Sequence, residues 1–215
     1  MTNSLYKPIV NFVFSRPYES SLLAIKKEHL TKEHFEKALK IKELAQKIWV
    51  VHEDKVFKLF EDIYNIKITE EKIDAFITFV SPNSYSQPLT ITLYHYKEFE
   101  TNEIQQNFFV FTLIHELAHY FAYTRPKDSY FQKLFDKIIK KDLLKSHGAN
   151  LHFLIQAVEF GIGAEVLGGS VATKIRNHIA EKRSPEYKIS AQALIDDDVP
   201  LDENCLKFIE ENILK

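Results

Sequence analysis

The chain has 215 residues, 45% hydrophobic and 27% charged, enough apolar material for a packed core, which excludes an intrinsically disordered chain. Seven Pro and five Gly exclude collagen-like and low-complexity classes, and the abundance of Leu, Ile, Lys and Glu leans towards helix. Lys and Arg number 28 against 30 for Asp and Glu, so the basic excess expected of a phosphate-binding, nucleic-acid partner is missing.

Cys205 is the single cysteine, which excludes an intramolecular disulfide and any multi-cysteine zinc site. Any metal bound here must be held by imidazole and carboxylate. The apolar stretch Ile9–Phe14 is interrupted by Asn11 and is shorter than the apolar region of a secretory signal. Nothing approaches a membrane-spanning run, so the expectation is a cytoplasmic protein with neither membrane nor nucleic acid as partner.

In chain order, the first 20 or so residues read as an extended arm. Pro8 and Pro17 oppose helix, and Ile9, Val10, Phe12 and Phe14 suit a short strand or docking on the core. Thr31 is an N-cap candidate, and Phe35, Leu39, Leu44, Ile48 and Val51 recur at helical spacing, continuing through Val56, Leu59 and Ile63. This predicts one long helix or two with a break near His52. Alternation then takes over: Ile73, Ala75, Ile77 and Phe79 form one strand, and after the turn Ser81-Pro82-Asn83-Ser84, Leu89, Ile91 and Leu93 form a second. The second carries a polar face that suits an edge or half-exposed position.

Helical signals return at Asn102. They predict helices near 102–123, 128–145, 150–168 and 170–183 and a shorter one near 202–213, with Pro126, Gly148 and Gly168-Gly169 marking breaks. The fold class expected is α+β, a mostly helical single domain over 1–215 with a small β-sheet preceding the most apolar helix.

That helix contains His115-Glu116-Leu117-Ala118-His119. One helical turn separates the two histidines, so both imidazoles project from one face and reach a single ion at about 2.0–2.1 Å. Glu116 lies about 100° further round, off the metal but close to a water held there. A carboxylate beside such a water takes its proton at neutral pH. Chance yields this pattern only about 0.03 times in a chain of this length and composition. The helix is apolar almost all round, and two buried imidazoles beside a buried carboxylate are costly without a ligand or full hydrogen bonding.

On these five residues, with Tyr120-Phe121 after them, the chain resembles the zincin metallopeptidases. The resemblance implies a mixed sheet before the active-site helix, with an edge strand lining the substrate cleft, the place held by the strand at 89–94. It implies zinc as cofactor, His115 and His119 as ligands, Glu116 as general base and a peptide or protein as substrate. The metzincin form is excluded, because Tyr120-Phe121-Ala122-Tyr123-Thr124-Arg125 stands where its third histidine motif belongs. The gluzincin form takes a glutamate from a later helix, and Glu159, the one acidic residue of the largely apolar stretch 151–163, is the candidate. His152, seven residues earlier on the same helical face, is its rival, and Glu165 is a third option. On this reading 1–30 is an N-terminal arm, 31–183 the catalytic core and 184–215 a C-terminal helical extension.

Candidates for stabilising an oxyanion are Tyr94, His95, Tyr96, Tyr123, Arg176 and His178. His29, His34 and His52 lack ligand spacing and read as surface residues. Asp196-Asp197-Asp198 reads as a solvated turn. Gly161 and Gly163 imply close backbone approach, either by the motif helix or by a segment elsewhere. The function expected is a zinc-dependent peptidase; the alternative is a non-catalytic metal-binding or regulatory protein on the same scaffold.

Overall fold

Near the start of the chain the apolar residues of the arm form the short strand they suit, but a helix follows it where Pro17 is expected to oppose one. The structure, a computed structural model, describes residues 9–94, 96, 98–124 and 129–215. Strand β1 (Ile9–Val13) pairs in parallel with β2 (Lys72–Thr78), Val10 opposite Ile73 and Phe12 opposite Ala75. Helix α1 (Arg16–Ile25) follows at once. Pro17 is no obstacle there, because it occupies the first turn, where no backbone N–H is needed, and the Ser15 hydroxyl accepts from Tyr18 N–H as the N-cap. Residues 1–8 lie outside the described range.

Helix α2 (Lys32–Tyr64) runs unbroken for 33 residues, with no break at His52, and the Thr31 hydroxyl caps it by accepting from His34 N–H. Strand β3 (Tyr85–Ser86) pairs antiparallel with β4 (Leu89–Thr92), which pairs in parallel with β2, giving a sheet of order β1-β2-β4-β3. The strand expected at an edge is therefore internal. All four residues of β4 are buried, because β3 covers its outer side and the polar atoms of Thr90 and Thr92 find partners within the sheet and turn. Helix α3 (Glu103–Thr124) follows the sheet and carries the histidine pair. The architecture is α+β and mostly helical, with a small mixed sheet before the motif helix.

The rest is helical: α4 (Tyr130–Lys141), α5 (His147–Leu167), α6 (Gly169–Lys182), α7 (Pro185–Asp196) and α8 (Cys205–Phe208), the last continuing into a π-helical turn, Ile209–Ile213. Helix α7 was not anticipated by apolar spacing. By contact the chain forms two compact units: one gathers the sheet, α1, most of α2 and the first part of α3; the other gathers the ends of α2 and α3 and all that follows.

In the first unit, β1 is an edge strand whose outward backbone groups would need water. Instead α2 satisfies them. Val10 N–H donates to Glu53 Oε1 at 2.6 Å, Gln46 Nε2 donates to the Val10 carbonyl at 3.0 Å, and Phe12 N–H donates to Gln46 Oε1 at 3.2 Å. The Trp49 indole donates to the same Glu53 oxygen at 2.9 Å. Two side chains thus close an edge that would otherwise recruit another strand. Apolar packing supports them: Phe12 meets Phe109 with ring centres 5.5 Å apart, and Trp49, Ala45 and Ile41 are fully or almost fully buried. Burial pushes the Glu53 carboxyl up, against the downward pull of its Val10 and Trp49 hydrogen bonds.

In the second unit, α5 is buried nearly all round and packs against α4, α6, α7 and α8. Ser190 on α7 donates to Gln156 Oε1 at 2.7 Å, which makes Gln156 a structural tie between α5 and α7. Gly161 is needed for close approach, but to the 202–205 turn rather than the motif helix. A Cβ there would stand 2.5 Å from the Asp202 carbonyl oxygen and 3.4 Å from Cys205 Sγ. The Cys205 thiol is buried, and desolvation pushes it up to about 12. Gly168 ends α5 at φ +93°, a left-handed conformation that suits glycine, and α6 starts from it.

Glu53→Gln keeps an oxygen able to accept both hydrogen bonds but cannot ionise. Because the folded protein holds the Glu53 proton more tightly than the unfolded chain, stability falls as pH rises from the ordinary carboxyl range through the raised value. Wild type should match the variant in melting temperature at low pH and fall progressively below it as pH rises; a difference independent of pH would overturn this. For Gly161→Ala, about 1 kcal/mol of gained helix propensity opposes about 1–3 kcal/mol of overpacking against a backbone oxygen that cannot swing away. The variant should be less stable by denaturant titration, and equal or greater stability would refute the contact.

Candidate metal centre

The motif helix is built to keep water out. Val110, Phe111, Leu113, Ile114, Leu117, Ala118, Phe121 and Ala122 are all at most 3% exposed. Within this apolar surface His115, Glu116 and His119 are also buried. The Tyr64 hydroxyl donates to the Ala118 carbonyl at 3.1 Å, and Phe60 packs on Phe121 at 5.1 Å, so the end of α2 holds the helix beside His119.

The third histidine comes from α5. His115, His119 and His152 each offer a ring nitrogen, and the three atoms lie within 4.8 Å of one another, the one group of this kind among the described residues. The His119 and His152 rings meet edge to face, with centres 5.2 Å apart. His152 Nδ1 lies 2.8 Å from the Gly148 carbonyl, which can only accept, so Nδ1 carries the proton and Nε2 keeps its lone pair. A backbone carbonyl fixing one ring nitrogen so that the other faces a metal is the usual outer support of a histidine ligand.

Two aromatic rings brace the group. Tyr123, one turn after His119, stacks on it at 5.8 Å, and Tyr187 on α7 packs on His152 at 4.2 Å. The exposed end of the Glu186 side chain, at the start of α7, lies against Gly148. A Cβ on Gly148 would stand 2.5 Å from the Glu186 carboxylate, next in sequence to Tyr187.

The donor set fits a divalent first-row ion. Three nitrogens at about 2.0–2.1 Å from a tetrahedral ion stand about 3.3 Å apart, so a group already within 4.8 Å needs only a small contraction. Three neutral imidazoles suit zinc, and also copper, iron and nickel. Three protein ligands would leave one position of a tetrahedral ion open.

Of the candidates for third ligand, the structure brings His152 into the group and does not bring Glu159. Glu159 follows His152 by seven residues, on the same face but about 10 Å further along the axis. It is 3% exposed, and burial pushes its carboxyl up to about 8, against the opposing influence of Arg183 and His152. The periodicity that placed both residues on one face is correct; the rise along the axis separates them. Glu165 is exposed further along α5 and stands outside the group.

Among the oxyanion candidates, Tyr123 lies against His119. Tyr94 instead sits beneath Lys26, the Tyr96 hydroxyl lies 3.2 Å from that of Thr112, and Arg176 and His178 belong to α6. His95 lies outside the described residues. Tyr187 was missed because α7 was missed, although Ser184-Pro185-Glu186 is a readable helix start, with serine at the N-cap and proline in the first turn.

No protein-family model, curated protein or solved structure matches the chain. Among the described residues, no helix is long and apolar enough to cross a membrane.

The ligand assignment yields a direct test by elemental analysis after zinc loading. His152→Ala should lose zinc affinity by more than about 100-fold, whereas Glu159→Gln should keep one zinc per chain, weakened at most about 10- to 100-fold as for an outer support. Retention by the first variant and loss by the second would restore Glu159 as the ligand.

Proposed function

We propose that the protein is a zinc-dependent hydrolase acting on peptide bonds, with His115, His119 and His152 holding the ion and Glu116 as general base. The observation that carries this reading is the convergence of three imidazole nitrogens around a buried helical turn that also bears a glutamate. The resemblance of His115-Glu116-Leu117-Ala118-His119 to the zincin motif supports the reaction class.

When bound, the ion supplies a Lewis acid that polarises a carbonyl and lowers the pKa of a coordinated water to near 7. The chain's own residues do the rest. Glu116, set about 100° round the helix from His115, accepts a proton from the attacking water and returns it to the leaving amine. Its apolar surroundings keep bulk water from competing for that proton. His152, held by the Gly148 carbonyl, presents the same nitrogen throughout. Compared with a site containing a carboxylate ligand, three neutral imidazoles leave more of the ion's charge to act on water and substrate.

The edge strand that the resemblance sets along a substrate cleft is internal here, since β3 pairs with Leu89 and Thr90 of β4. In this reading substrate positioning falls to the surroundings of the histidines, where Tyr123, about half exposed and stacked on His119, is the candidate donor to a developing oxyanion.

Glu116→Gln tests the reading. In the zinc-loaded protein, assayed on a mixed library of quenched fluorescent peptides, it should reduce hydrolysis about 10²- to 10⁴-fold while zinc content stays unchanged. Undiminished turnover in the variant would remove Glu116 from the chemistry. Zinc-loaded wild type that cleaves nothing in the library would favour the metal-holding, non-catalytic reading.

A further inference from the structure

The first unit contains a cavity of about 300 Å³ that the metal centre does not use. Its position follows from the sheet. The parallel strands β1, β2 and β4 all point their carboxyl ends at it, contributing Phe14, then Phe79 and Val80, then Tyr94. In open sheets of parallel strands, ligands bind outside these carboxyl ends, where the backbones diverge into loops. Helix α1, the connector after it and the first turns of α2 complete the enclosure.

The lining divides by chemistry. Phe14, Leu23, Leu30, Ala38, Phe79 and Val80 supply apolar walls. Lys26, His34 and Lys37 stand exposed at the mouth, with Glu28 as the acidic group among them. Lys26 is held in place: its Nζ donates to the Val80 carbonyl at 3.0 Å and lies 5.0 Å from the centre of the Tyr94 ring, leaving two further N–H groups. His34 and Lys37 are three residues apart on α2 and share a face. Glu19, buried at the floor, is committed to the fold. Its two oxygens accept from the Thr78 hydroxyl at 2.9 Å and from Phe79 N–H at 2.8 Å, tying α1 to the end of β2.

We propose that this cavity binds a small aliphatic carboxylate, its hydrocarbon body against the apolar walls and its head between Lys26 and Lys37. The volume equals that of about ten water molecules and stands at the small end of ligand pockets. A chain of roughly eight carbons suits it. The inference is independent of the metal centre and does not depend on hydrolysis.

The test uses the full-length ¹⁵N-labelled chain at low salt, titrated separately with octanoate, octylamine and 1-octanol. Octanoate should give saturable amide shifts centred on Leu23, Phe79 and Val80. 1-Octanol should bind at least about tenfold more weakly, and octylamine should not bind. Lys37→Glu, at an exposed position, should weaken octanoate about tenfold, and Leu30→Trp, which fills the cavity from the connector, should abolish binding. Spectra of Leu30→Trp away from the cavity check its fold, and Lys37→Glu decides if that variant is perturbed. Equal binding of octylamine or octanol, shifts that never saturate, or an unchanged affinity in Lys37→Glu would overturn the proposal.

Discussion

A polar turn inside an apolar helix is the constraint on which the candidate site depends. His115, Glu116 and His119 are withdrawn from water by neighbours that offer mostly hydrocarbon, and burying such groups is costly unless something compensates. Their spacing allows one form of compensation: two imidazoles on one face can share a cation with a third donor. His152 brings such a donor from α5. The N-terminal part of α5 and the start of α7 are arranged to serve it, through the Gly148 carbonyl on one ring nitrogen and Tyr187 across its face.

Helix α5 separates two kinds of polar group along a single face. Near its start, His152 brings a ring nitrogen to those of His115 and His119. Two turns on, Glu159 is a carboxyl whose environment resists ionisation, though Arg183 and His152 draw it the other way. Between them Gln156 is spent on holding α7. A carboxylate ligand would have neutralised part of the charge of any bound ion, whereas a set of imidazoles leaves that charge undiminished and places the acid at a distance.

Much of this was legible in the sequence, and the failures share a physical cause. Local periodicity gave α2, α3, α5 and α6, the two main strands, and the histidine pair, because each is fixed by which residues share a face. Periodicity does not report what lies across that face. Strand β4 reads as half polar, yet it is buried because β3, two residues long and too short to leave a pattern, lies beside it and because Thr90 and Thr92 bond locally. In the arm, Glu53 and Gln46, far along the chain, supply the partners that hold β1 as the strand its apolar residues suit, whereas α1 was hidden because Pro17 stands in a first turn rather than breaking a helix. Glu159 and His152 were correctly placed on one stripe, but choosing between them required the height of α5 relative to His119. Helix α7 carries its signal in its cap rather than in an apolar stripe, since it is only partly buried.

The glycine that admits the 202–205 turn has a consequence for how the second unit can be watched. It lets the only thiol of the chain sit against α5, fully buried and held protonated far above neutral pH. A thiol in that state does not react with an alkylating reagent from within the closed structure. Labelling of Cys205 therefore proceeds only through transient opening of α8 away from α5, and its rate is a clock for that excursion. The chain carries, without any engineered probe, a single-site reporter of the packing of α8 on α5, the helix that bears His152.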